Sequence, residues 1–149
     1  MKARMIASLL VLLSVSACSS SAPKLAQPDI FVRAVGGAPP LRSGLSYGVT
    51  FEVGIRNRSG EPITLERIQL QSNNSMSYDI QSRQEVRREV IQPGETKTVS
   101  VFANAFVARA RTAQSEPITL RVTALFNSPV GRFRSVVFRN LGSALGENR

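Results

Sequence analysis

The sequence predicts an all-β fold, a single antiparallel β-sandwich of seven to eight strands. Three observations carry this. Beyond residue 28, apolar and polar side chains alternate with period two. Clusters of Gly, Pro, Asn and Ser interrupt the alternation about every ten residues, the spacing of short sandwich strands. No apolar stripe of helical spacing follows the first twenty residues.

The elements follow in order. "DIFVRAV" sets Ile30 and Val32 against Phe31 and Arg33, a first strand. Gly36 to Gly44, with Pro39 and Pro40, excludes regular structure. "YGVTFEVGIRN" is the clearest half-buried strand, with Val49, Phe51, Val53 and Ile55 on one side and Thr50, Glu52 and Arg56 on the other; Asn57-Arg58-Ser59-Gly60 turns it. In "PITLERIQLQS" the apolar parity moves from Ile63 and Leu65 to Ile68 and Leu70, which predicts a β-bulge near Glu66 and Arg67. "SMSYDIQ" alternates Met76, Tyr78 and Ile80, and "EVRREVI" carries Val86, Val90 and Ile91 into a Pro93-Gly94 turn. "TKTVSVFANAFV" leads into a polar, alanine-rich connection, "ARARTAQSE". "PITLRVTALF" keeps Ile118, Leu120, Val122, Ala124 and Phe126 in phase, and "NSPVG" makes the hairpin to "RFRSVVFRNL".

The block Phe51 to Leu70, followed by Ile91-Gln-Pro-Gly-Glu-Thr-Lys-Thr-Val-Ser-Val101, resembles an immunoglobulin-like bacterial sandwich. In style it is similar to the water-stress, late-embryogenesis-abundant type 2 domain, where a strand ending in Asn is followed by a turn, a P-I-x-L strand and a later PGE turn. The resemblance implies an immunoglobulin-like sandwich over residues 28–141 and a binding or protective role without a defined active site.

The first residues read differently. Lys2 and Arg4 precede an aliphatic run from Met5 to Val15. Eleven helical residues rise roughly 16 Å against about 30 Å of hydrocarbon, so the run suits a cleaved export signal rather than a membrane span. Val15-Ser16-Ala17-Cys18 resembles the lipobox of bacterial lipoproteins, which implies cleavage before Cys18 and acylation of its thiol and amine. An ordinary secretion signal cut after Ala17 or Ala22 would leave the lone cysteine unexplained. Ser19, where the inner-membrane class carries Asp, resembles the outer-membrane-sorted class. The expected organisation is a signal peptide at 1–17, a lipidated polar tether at 18–27, the sandwich at 28–141 and a tail at 142–149, held at the periplasmic face of the outer membrane.

Loss of Lys2 and Arg4 with the leader takes the basic side chains from 19 to 17 against 10 acidic ones, a net charge of +7. Nucleic acid is excluded as a partner by export rather than by charge. Histidine is absent, which removes Ser-His-Asp and Cys-His catalysis and most zinc sites, and no glycine loop suited to phosphate precedes a helix. No cofactor or metal is expected. Glu85 and Glu89 are the one candidate carboxylate pair, the basis of an alternative reading as an envelope enzyme or its accessory subunit, but Arg83, Arg87 and Arg88 among them favour charges on a solvated strand.

Arginine is the remaining signal. Arg109 and Arg111, then Arg132 and Arg134, are two apart and share a side wherever the backbone is extended, and Arg121, on the preceding strand, is expected near the last pair across the hairpin. Arg121, Arg132 and Arg134 are the candidate anion-binding residues, with lipid A phosphates, anionic headgroups, cell-wall polymers or an envelope protein as partners within reach of a tether. Interspersed Glu52, Glu66 and Glu116 support the plainer reading of solvated surface charge. Phe102, Phe106, Phe126, Phe133 and Phe138 are expected mainly in the core. The last strand presents apolar residues on both faces, Phe133 and Val137 against Val136 and Phe138, which predicts that one face is covered or meets a partner.

Overall fold

The computed structural model describes residues 25–35, 42–73, 76–109, 113 and 117–143. Eight strands follow one another through them: β1 (Asp29–Val35), β2 (Ser46–Arg56), β3 (Ile63–Ser72), β4 (Tyr78–Ser82), β5 (Glu85–Ile91), β6 (Thr96–Val107), β7 (Pro117–Ser128) and β8 (Gly131–Ser143). All pairs are antiparallel, along the path β1-β2-β6-β4-β3-β7-β8 with β5 also on β3. β4 pairs with β6 along its whole length but with β3 only through Gln71↔Gln81. The path therefore folds over at β4 into two layers, β1-β2-β6-β4 and β5-β3-β7-β8. Arg139 Nε donates to the Ile30 carbonyl at 2.6 Å and holds β1 beside β8 on the opposite flank. This is the all-β, antiparallel sandwich that the alternation predicts, and it agrees with the immunoglobulin-like architecture that the resemblance implies.

Period-two alternation fixes which side chains meet between the layers. Val49, Phe51, Val53 and Ile55 of β2 are buried against Leu65, Ile68 and Leu70 of β3 and Leu120, Val122 and Phe126 of β7 in one continuous core. The register of β3 with β5 and with β7 shifts between Leu65 and Arg67, at the predicted bulge, so Leu65 and Ile68 can both point inward. Phe126 and Phe133 are cross-strand partners whose rings stack with centroids 5.2 Å apart.

Turn chemistry matches the sequence. Gln92-Pro93-Gly94-Glu95 closes with the Glu95 amide on the Gln92 carbonyl at 3.0 Å, and Gly94 takes φ +76°, a conformation that favours glycine at the third position. Asn57 does more than turn the chain. Its side chain is buried; Nδ2 donates to the Glu61 carbonyl at 2.8 Å and the Ile91 carbonyl at 3.0 Å, and Oδ1 accepts from the Ser59 amide at 2.9 Å. Its own amide donates to Glu95 O, and its carbonyl accepts from Gly94 N. One amide side chain thus ties the β2–β3 crossing to the end of β5, which satisfies polar groups that would otherwise be buried unpaired.

Some expectations are corrected. β4 begins at Tyr78, and Met76 is exposed. Val86 and Val90 face outward on β5, and only Ile91 enters the core. Ala113, in the polar connection, is buried, with its amide on the Arg109 carbonyl at 3.0 Å. Phe102, Phe106 and Phe138 are exposed and Phe133 is half-buried, which leaves Phe126 alone of the five fully in the core. The leader, Cys18 and most of the tether lie outside the described residues, as do Arg111 and residues 144–149.

Candidate functional site

The β7–β8 hairpin places the predicted arginines. Its register pairs Asn127 with Arg132, Leu125 with Arg134 and Arg121 with Phe138. Cross-strand partners share a face, and Ala124, Phe126 and Ser135 of the opposite parity are buried, so Arg121, Arg132 and Arg134 all project outward. Arg132 and Arg134 stand together, about 7 Å apart along the strand. Arg121 shares their face, but its row lies four residues from Arg134, about 13 Å away at strand rise.

Two further arginines join this face. Arg67 pairs with Leu125, the partner of Arg134, so both guanidinium groups flank Leu125 in one row, about 10 Å apart across two strand spacings. Arg88 projects from β5 between Val86, the partner of Arg67, and Val90, the partner of Thr64. Neither belongs to the anion-binding set that the sequence predicts. The bulge gives the outward parity of Arg67, but the adjacency of β3 to β7 and of β5 to β3 is a matter of strand order, which local alternation does not encode. Among the described residues, the acid on this face is Glu66, paired with Arg132 at 3.3 Å. Val136 and Phe138 stand on the same face of β8, Phe138 about half exposed. The face is cationic with an apolar margin.

Arg109 is not part of it. It follows β6, where its amide donates to the Ser77 carbonyl at 3.2 Å.

The carboxylates of β5 point the other way, toward the margin of β6 that β4 leaves uncovered. Glu85 pairs with Arg87 and accepts the Phe102 amide at 3.2 Å; Arg87 donates to the Ser100 carbonyl at 2.5 Å. Glu89 pairs with Lys97 Nζ at 2.9 Å. That bond and the ammonium charge hold the Glu89 carboxyl below the usual carboxylate range, and the same bond raises Lys97. These side chains occupy backbone groups on an open strand margin, a standard way of blunting an edge. Four residues of strand separate the two acids by about 13 Å, beyond the roughly 5–9.5 Å at which paired carboxylates cooperate on a glycosidic bond. No group of acids, His or Cys suited to a metal occurs among the described residues.

At the end of the sandwich, Tyr47, Tyr78, Ile80, Ala105, Val107 and Ile118 leave a gap with room for about one water. Tyr78 donates to the Pro117 carbonyl at 2.6 Å, and burial raises the Tyr47 phenol. The gap is apolar packing space, too small for a ligand.

No family model matches the chain, and no curated protein matches it. Solved structures do. A structural-genomics target designated SoR45 superposes with a TM-score of 0.54 at 10% identity, covering 83% of this chain and 90% of its own. A protein assigned as ApaA from Bordetella pertussis gives 0.52 at 14% identity, with 82% and 99% covered. The GAE domain of GGA2p from Saccharomyces cerevisiae gives 0.48 at 13% identity, with 79% and 92% covered. The first two agree with the all-β architecture over most of the chain, and at such identities the likeness is one of fold.

Proposed function

We propose that the protein is a non-catalytic binding module of the bacterial envelope, tethered through a lipidated Cys18 to the outer membrane and facing the periplasm. The observation that carries the binding role is the concentration of Arg67, Arg88, Arg121, Arg132 and Arg134 on one sheet face, opposed among the described residues by the one acid Glu66. Guanidinium groups at strand spacing suit several anionic groups at once. The anchor rests on the Val15-Ser16-Ala17-Cys18 segment, and the resemblance to the water-stress type 2 domain agrees with a role in binding or protection.

The anchor is tested by labelling cells with a radioactive fatty acid and fractionating the envelope. The wild-type chain is expected to carry label and sediment with outer membranes, and Cys18→Ser to lose both. A Cys18→Ser chain that is processed normally and still partitions into detergent would overturn the anchor.

A further inference from the structure

We propose that the outer face of β5-β3-β7-β8 is a docking surface for an anionic lipid bilayer, with Arg67, Arg88, Arg132 and Arg134 on the headgroup phosphates and Val136 and Phe138 entering the headgroup layer. The choice of a bilayer as occupant rests on the proposed anchor.

Three features point to this occupant. First, the outward charges of the two layers differ in kind. The opposite face balances Arg33 and Arg56 with Asp29, Glu52 and Asp79, and Arg33 is ion-paired with Glu52. The β5-β3-β7-β8 face has its arginines opposed by Glu66 alone among the described residues. A flat array of cations complements a flat array of phosphates. Second, apolar side chains accompany the cations: Val136 and Phe138 stand exposed on β8, and Val86 lies beyond Arg67 in the Arg134–Leu125–Arg67 row. Cations beside exposed aromatic and aliphatic groups are the composition of an interfacial membrane binder. Third, the chain leading to Cys18 enters on this flank. β1 lies beside β8 through the Arg139 bond to Ile30, and Ile30 follows Cys18 by 12 residues. Whatever their conformation, these span at most about 40 Å, so an anchored domain stays within reach of the surface.

Residues 25–149 suffice for the test, because every side chain of the core lies between Ile30 and Phe126 and those packed against it between Leu25 and Leu141. This chain lacks Cys18, so vesicle binding reports on the face alone, and the labelling experiment reports on the anchor alone. Co-sedimentation with phosphatidylcholine vesicles is compared with vesicles containing about one-third phosphatidylglycerol, at low salt and near 0.15 M, where the Debye length falls to about 8 Å. Binding is expected to the anionic vesicles and to weaken with salt. At about fivefold per surface arginine, the variant with Arg67, Arg88, Arg132 and Arg134 all changed to Gln should bind at least tenfold more weakly with an unchanged circular dichroism spectrum. Arg33→Gln with Arg56→Gln, on the other face, should bind like wild type.

The chain has no tryptophan, so Phe138→Trp places a single fluorophore in the docking face and Phe106→Trp one in the opposite face. Anionic vesicles should shift the Phe138→Trp emission to the blue and leave Phe106→Trp unchanged. The proposal is overturned by equal binding of the quadruple variant, by an equal loss in the Arg33/Arg56 variant, by bound vesicles that leave Phe138→Trp unshifted, or by a chain that binds soluble polyglutamate but no vesicle.

Discussion

Phe31 and Phe102 on the outer face of β1-β2-β6-β4 and Phe138 on that of β5-β3-β7-β8 are all about half exposed, yet they do different things. The Phe102 ring lies over Gly48, where a methyl group would meet it at 2.5 Å, and Phe31 lies over Gly54, where the contact would be 3.6 Å. Both rings cover backbone that the β2 glycines leave bare, as aromatic neighbours do for strand glycines. Phe138 pairs across the strands with Arg121, and no glycine of β7 lies beneath it. Exposure alone therefore does not mark a contact surface. The distinction lies in what the ring covers: on the first face local structure accounts for Phe31 and Phe102, and on the second Phe138 stands in a cationic surface that the fold does not require.

The largest effect is expected where both faces depend on one support. Asn57→Ala leaves the Glu61 and Ile91 carbonyls and the Ser59 amide without their side-chain partner in a buried turn. At about 1–3 kcal/mol per orphaned group, less what water recovers, a loss of about 3 kcal/mol is expected in urea unfolding. An unchanged midpoint would show that the turn closes without Asn57.

The second test separates the two faces directly. Phe102→Ala uncovers Gly48 and should cost about 1–2 kcal/mol, whereas Phe138→Ala should stay within about 0.5 kcal/mol, the usual range for a surface substitution. Paired thermal or urea melts measure both. Equal losses would erase the difference between covering a glycine and standing free of that duty.

The same contrast explains how far the fold and the site can be read from residues alone. Alternation is local and strong where one side is buried, so Val49 to Ile55 and Ile118 to Phe126 declare their strands, and the parity change across Glu66 and Arg67 declares the bulge. Strand order is not local. Arg132 and Arg134 can be paired from their spacing, but Arg67 and Arg88 join them only because β3 lies beside β7 and β5 beside β3. The phenylalanines mislead for the same reason: Phe102 and Phe106 sit at outward parity beside the inward Val101 and Ala105, and hydrophobicity outweighs parity when neither neighbour strand is known. The buried role of Asn57 is hidden because its partners lie in β5 and in the turn, while the sequence offers only a turn-forming residue.

Where the two layers meet at β5 and β6, Glu85 is expected to matter for the edge rather than for chemistry. Glu85→Ala removes the acceptor of the Phe102 amide and the partner of Arg87, and should cost about 1 kcal/mol. Glu85→Gln keeps an acceptor and should cost less. A loss of envelope function in Glu85→Gln without loss of stability would instead support the enzyme reading.

The smallest effect is the pH dependence of the neighbouring pair. Lys97, by its hydrogen bond first and its charge second, lowers the Glu89 carboxyl, and Glu89 raises the Lys97 ammonium. A depressed carboxylate stabilises the fold above its unfolded value, near 4.3, and that contribution is lost as pH falls through the folded value. A raised ammonium stabilises it below its unfolded value, near 10.4, and that contribution is lost as pH rises through the folded value. The pair therefore acts across the neutral range and fades at both ends. Both groups are solvent-exposed, so the effect is small and screened by salt. Glu89→Gln should differ from wild type in urea midpoint near pH 7, and the two should converge as the pH is lowered through the carboxylate range or as salt is added. A difference that persists unchanged in acid would show that Glu89 acts through packing rather than through its charge.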